Sequence, residues 1–382
     1  MAEVPNEGPK EKQLRFDWEL LAKISGLEHF GPPSNVTIEA INGGVSNYVY
    51  RLTSDKDPSH TVIVKHGESY IRAFPRARAS LKRTSLEFWG LKRMEELAPG
   101  SVPTPLYYDP GQNFIVMEDL RSYQLLRDQM NHGTMHFSAV EKLSSYLSKL
   151  HRTTHKTVVD EETYEKSLEF YKPNEMTGYQ TLYLFENPLT HQGNGQYSKE
   201  VEAFKIDETL FPNFLKLKAI DKDNHDCLIH GDSHVSSVLV KGSSVKIFDF
   251  ECARMGPAAA DLSNIMAGLI KSYLDHKHYP LKEGSTFHEE LRKAVDSVVD
   301  TYFKDAAEYL SEKDYTRTIS ETAGFIGARL VRRVYGLPEM GDGQSNSLTM
   351  KGCLQIGYHL LRDSEKIFTR EALKNSIFQE VD

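Results

Sequence analysis

Residues 227–262, CLIHGDSHVSSVLVKGSSVKIFDFECARMGPAAADL, constrain the chain more than any other stretch. Two short apolar runs there each deliver an acidic residue into a turn. The first ends in His230-Gly231-Asp232; the second, Val245-Lys246-Ile247-Phe248, leads into Asp249 and then Glu251. Short apolar runs bounded by turn residues read as buried strands. Asp249 follows Asp232 by 17 positions, and four residues separate Asp232 from Ser237.

This is the spacing of a kinase catalytic loop followed by its metal loop. In that arrangement an Asp orients the acceptor hydroxyl and takes its proton, while oxygen ligands hold Mg²⁺ on the nucleotide. Asp232 is the candidate base. Position 237, where an Asn commonly binds metal, is Ser237, whose hydroxyl is a poorer ligand for hard Mg²⁺ than an amide oxygen. Glu251 can supply the missing oxygen, so Asp249 and Glu251 are assigned jointly to the metal. His230 and His234 flank the base. His230 reads as a hydrogen-bonding post that fixes the loop, and His234 reads the same way but closer to the phosphates.

The first third of the chain is rich in strand signals. Val36-Thr37-Ile38, the turn Asn42-Gly43-Gly44-Val45-Ser46-Asn47 and Tyr48–Leu52 form a hairpin, and Thr61–Lys65 is a third strand. Gly43, Gly44 and Asn47 are candidates for covering the nucleotide phosphates. Lys65 stands where a lysine would pair the α- and β-phosphates, with Glu87, on a helix over 80–97, as its partner. Pro103 and Pro105 predict a loop before the strand Asn113–Met117. Met117, Glu118 and Leu120 then mark the junction where an adenine would be held through backbone groups. The basic run Arg72, Arg76, Arg78, Lys82 and Arg83 has no interleaved aromatics and reads as a solvated approach to the helix.

Beyond residue 120 strands become rare. Apolar spacing of three and four predicts helices over 138–151, 259–275, 287–311, 315–334 and 350–368, with 160–225 mostly helical. The expected fold is α+β: a bilobal protein-kinase-like fold with a small β-sheet lobe carrying one helix and a larger, mainly helical lobe. The boundaries are a loose tail over 1–15, a nucleotide-covering lobe over 16–119, and a catalytic and substrate-binding lobe over 120–382. Asp17 could cap a short helix that ends at Pro32-Pro33.

A net charge of −8 argues against a nucleic-acid partner. Cys227, Cys252 and Cys353 are an odd number at no metal-ligand spacing, which favours a reducing compartment. MAEVPNEGPKEKQLR has no apolar h-region, and no window approaches a membrane span. A cytoplasmic protein with no membrane partner is expected.

The hairpin GGVSNYVYRL, Lys65, HGDSHVSSVLV and IFDFECARMGPAAADL resemble the aminoglycoside-phosphotransferase-like kinases, and within them the 5-methylthioribose kinases. That family also has a serine in the catalytic loop and an Asp-x-Glu followed by Gly-Pro and a later Asp, here Gly256-Pro257 and Asp261. MEDLRSYQLLRD is similar to its hinge. GARLVRRVYGL resembles a late helix whose paired arginines, here Arg332 and Arg333, serve the sugar. The resemblance implies ATP and Mg²⁺ as cofactors, the 1-hydroxyl of methylthioribose as acceptor in methionine salvage, and a homodimer. This chain has Asp-Phe-Glu where the family commonly has Asp-Pro-Glu. Kinases for another sugar, choline, homoserine or an aminoglycoside remain alternatives, as does a nucleotide-binding pseudokinase.

Overall fold

The computed structural model describes residues 27–28, 30, 33–41, 44–190, 206–335 and 346–381. The proposed helix after Asp17 and the glycine Gly43 lie outside these residues.

The first third builds a five-stranded antiparallel sheet from β1 (Val36–Ala40), β2 (Tyr48–Ser54), β3 (Thr61–His66), β6 (Pro105–Asp109) and β7 (Phe114–Glu118), in the order β1-β2-β3-β7-β6. The period of two decides which way Lys65 faces. Val62 and Val64 join Leu52, Phe114 and Val116 in a small core under one face. Ile63 packs against the other, main core, and Lys65 shares its side of the strand. That second face is covered by α1 (Lys82–Leu97), which buries Leu91 and Met94.

Two local readings of the sequence are corrected. Pro105 opens a strand rather than a loop. It stands first in an edge strand, where a missing backbone donor is tolerated. The basic run is solvated only in part: Arg76 and Arg78 are exposed, but Tyr70–Ile71 (β4) pairs with Phe74–Arg78 (β5), and Arg83 is fully buried.

The remainder is mainly helical, as its apolar spacing predicts. It contains α2 (Leu126–Asn131), α3 (Phe137–Thr154), α4 (Glu161–Phe170), α5 (Glu175–Thr181) and α6 (Phe211–Asp223). Later come α7 (Ala258–His278), α8 (Phe287–Ala306), α9 (Glu312–Tyr335), α10 (Ser347–Asp363) and α11 (Arg370–Phe378). Within it, β8 (Gln124–Leu125), β10 (Val238–Lys241) and β11 (Ser244–Ile247) form one small sheet. β9 (Cys227–Ile229) and β12 (Arg254–Gly256) form another. The molecule therefore has the α+β, kinase-like arrangement of a small sheet beside a larger helical body. No helix among the described residues is long and apolar enough to cross a membrane.

α7 is buried around almost its whole circumference, which marks it as the central helix. It contacts α8, α9 and α10. Asp261, Asn264 and Gly268 lie on one face of it by helical spacing. At Gly268 a Cβ would stand 2.8 Å from Val235, so the glycine lets the loop after β9 lie directly on α7.

Candidate active site

β9 delivers His230-Gly231-Asp232 into a loop held almost entirely through its backbone. Asp261 accepts from the N–H of His230 (2.7 Å) and of Gly231 (2.9 Å), from Ser233 Oγ (3.1 Å) and from His151 Nε2 (3.1 Å). Burial opposes its charge, but these donors, His151 first, hold its carboxyl down to about 2. Gly231 has φ +83°, and a side chain there would collide with the Cys252 carbonyl, so only glycine fits the turn. His230 accepts from the Asp232 N–H at Nδ1 (3.2 Å) and donates from Nε2 to Phe248 O (2.8 Å). Burial lowers its pKa, and the two bonds define a neutral ring that ties the first loop to the second.

Asp232 itself is partly open, its side chain 39% exposed. Asn264 Nδ2 donates to Oδ1 at 3.4 Å, and His234 Nε2 lies 3.6 Å from Oδ2. Ser237 is fully buried; its hydroxyl lies 3.1 Å from both Asp232 O and His234 Nδ1. It therefore braces the loop from within.

The second acidic turn meets the sheet. Asp249 has φ +77°, the left-handed region that Asp tolerates better than most side chains. The turn after it, Phe250–Cys252, packs on α1. At Gly90 a Cβ would lie 2.7 Å from Phe250, so the missing side chain permits the close approach. That approach brings Glu87, on α1, within reach of Lys65 and Asp249. Lys65 Nζ lies 2.7 Å from Glu87 Oε2 and also bonds Asp249 Oδ1. Burial works against the ammonium, but Asp249, Glu87 and Glu251 outweigh it and hold Lys65 above its ordinary value. Burial opposes Asp249's charge as well, and Lys65 nevertheless holds that carboxyl low; burial raises Glu251. One oxygen each from Glu87, Asp249 and Glu251 lies within 4.8 Å of the others.

Glu251 is fixed by residues that sequence reasoning placed elsewhere. Asn47 Nδ2 donates to Glu251 Oε2 at 2.6 Å, while Arg83 Nε donates to Asn47 Oδ1 at 3.1 Å and lies 3.5 Å from Glu251 Oε2. Asn47, expected over the phosphates, thus has its amide on the carboxylate cluster. Arg83 also donates to Glu68 O and Ser80 O. It stitches the glycine hairpin to α1. Gly44 O accepts from Arg72 at 2.8 Å.

At the junction, Met117 is buried in the main core. Glu118 turns its carboxylate to Lys246 (3.0 Å) and Thr104, and Leu120 O accepts from Tyr123 N–H. Arg332 and Arg333 lie half-buried in the last turn of α9. By spacing they share a face with Arg329, which donates to Ser263 Oγ (3.0 Å) and Ala260 O (3.1 Å) at the start of α7. Sequence reasoning missed Asn264 and the role of Arg83. The available signal for Asn264 was a polar pair, Ser263-Asn264, inside the otherwise apolar run of α7.

A family profile described as "Phosphotransferase enzyme family" matches residues 37–291. A methylthioribose kinase of Bacillus cereus (strain AH187) is 25% identical over 373 residues, covering 91% of this chain and 93% of that protein. Another, from Bacillus cereus (strain ATCC 10987 / NRS 248), is 26% identical over 361 residues, covering 88% and 90%. Among solved structures, a choline/ethanolamine kinase family protein from Mesorhizobium loti aligns over 94% of this chain and 97% of its own. Its TM-score is 0.47 and its sequence identity 11%.

Proposed function

Because the chain belongs to the phosphotransferase enzyme family, we propose that it transfers the γ-phosphoryl group of ATP to the 1-hydroxyl of 5-methylthioribose. The observation that carries this reading is the carboxylate cluster. Glu251, two residues after Asp249, is drawn into one site with Asp249 and Lys65 by Asn47 and Arg83. An Asp-x-Glu acting as a unit is the feature shared with the family suggested by the motifs. The similarity to methylthioribose kinases along nine-tenths of the chain supports the acceptor.

In this reading residues 16–119 cover the nucleotide and 120–382 carry the acceptor. Lys65 pairs with the α- and β-phosphates, held in place by Glu87. Asp249 and Glu251 offer hard carboxylate oxygens of the kind Mg²⁺ takes. An ion held by these two carboxylates would supply positive charge against the nucleotide phosphates. Asn264 holds Oδ1 of Asp232, leaving Oδ2 to accept from the substrate hydroxyl. As the new O–P bond forms, the bond from Pγ to the β,γ-bridging oxygen breaks. ADP leaves with that electron pair, and the hydroxyl proton passes to Asp232. Arg332 and Arg333 serve as donors to sugar hydroxyls or to charge developing on the transferred group. The pair also disfavours a cationic acceptor. A homodimer belongs to the same proposal.

A coupled ADP-release assay across methylthioribose, ribose, homoserine, choline, ethanolamine and an aminoglycoside tests the acceptor. Methylthioribose is expected to give the highest kcat/KM. Turnover with another acceptor and none with methylthioribose would remove the acceptor assignment and leave phosphotransfer standing.

A further inference from the structure

A cavity of about 690 Å³ lies in the helical body between α6, the segment entering β9, and α9. None of its lining residues belongs to the site around Asp232 and Asp249. Two of its polar groups are incompletely paired. Glu321, on α9, is only 8% exposed, and no described residue donates a hydrogen bond to it. Its one ion pair among the described residues is with Arg317 Nη1 at 3.9 Å, and Arg317 is itself engaged by Asp226 (2.7 Å) and Asp314 (3.0 Å). Burial pushes the Glu321 carboxyl up to about 7 against the pull of Arg317. Asn224 Nδ2 is a buried donor with no acceptor among the described residues.

Buried polar groups are normally satisfied, so a carboxylate with only a long ion pair and an amide donor without an acceptor, both on residues that line one cavity, specify what would complete them. The carboxylate requires a donor, best a cationic one; the amide requires an oxygen. The cations of the lining do not turn the cavity into an anion site. Lys156 and Arg317 both pair with Asp226, and Lys216 pairs with Glu365. A nucleotide or phosphate ester would meet only neutralised cations, together with Glu321 and Asp223. The Tyr164 side chain adds an aromatic wall whose hydroxyl is already donated to His225 O.

We propose that this cavity binds a small compound carrying an ammonium group with an oxygen acceptor nearby, the chemistry shared by amino alcohols and amino acids, and that Glu321 and Asn224 are its principal contacts. The site stands apart from the acceptor site. Asp226, which lines it, immediately precedes β9, and Asp232 follows β9, so the cavity and the base sit at opposite ends of one three-residue strand.

The test is a ligand-observed NMR titration of the full chain with ethanolamine, glycine, putrescine and ethylene glycol. Ethanolamine or glycine is expected to bind, and to bind better than putrescine, which lacks the oxygen, or ethylene glycol, which lacks the ammonium. The preference between ethanolamine and glycine tells an amino-alcohol ligand from an amino-acid one. Glu321→Gln should weaken binding at least tenfold while turnover of methylthioribose stays within twofold of the parent. Asn224→Ala should weaken it severalfold, and it decides the matter should Glu321→Gln fail to fold. No binding by either ethanolamine or glycine would overturn the proposal. Binding that survives both substitutions would place these compounds elsewhere, including the acceptor site, and would overturn it equally. Because the readout is binding, its failure leaves the kinase reading intact.

Discussion

Asp232→Asn is expected to lower turnover by about 10²–10⁴-fold, the usual range for removing a positioned general base, with little change in nucleotide affinity. The substitution keeps size and hydrogen-bonding reach but removes the proton acceptor. The fold should tolerate it, because the loop is not held by this side chain. Its supports are Asp261 on the two backbone N–H groups, His230 between the loops, and Ser237 against Asp232 O. Steady-state kinetics with an unchanged thermal melt would show the loss as chemical. A variant with full activity would sink the assigned mechanism.

The second large effect is expected at Asp261, a positioning residue on α7 that holds the backbone of the Asp232 loop. Its carboxylate is fully buried and accepts from two backbone N–H groups, a serine and a histidine. In Asp261→Asn one oxygen becomes an NH₂ facing donors. Breaking a buried charged network by changing one partner costs about 3–5 kcal/mol. Turnover should fall too, because the Asp232 loop loses its anchor. The effect has a pH signature. Asp261's folded value of about 2 lies below the ordinary unfolded Asp value, which is near 4. Its stabilisation is complete above about pH 4 and disappears as pH falls through about 2; by linkage it amounts to about 2–3 kcal/mol. Urea midpoints of parent and variant should therefore converge between pH 4 and pH 2. A gap that stays constant over that range would show that Asp261 is not the group responsible.

The elements that were legible in the sequence are those specified by local pattern. The β-branched run Thr61–Lys65 identifies the strand; the side on which Lys65 projects is settled by the fold, where Val62 and Val64 turn to the small core. The three-and-four spacing locates α3 and α7 to α9 within a few residues. The acidic turns are visible because strand, turn and carboxylate are contiguous. The parts that escaped depend on partners distant in sequence. Asn47 meets Glu251 204 positions away, and nothing near either residue announces the pairing. Arg83 sits in a run of basic residues whose others are more exposed; only the folded hairpin surrounds it with carbonyls. Pro105 reads as a breaker, and becomes tolerable because its strand lies at the sheet edge. Ser237 was read as a weakened metal position, and its hydroxyl is used inside the loop.

The most direct measurement is ³¹P NMR of the product formed from ATP and 5-methylthioribose by the full chain. The account predicts ADP and one new phosphate-ester resonance coupled to the anomeric proton, absent with Asp232→Asn. Phosphorylation at a different hydroxyl, or no ester while ATP is turned over on another acceptor, would contradict it.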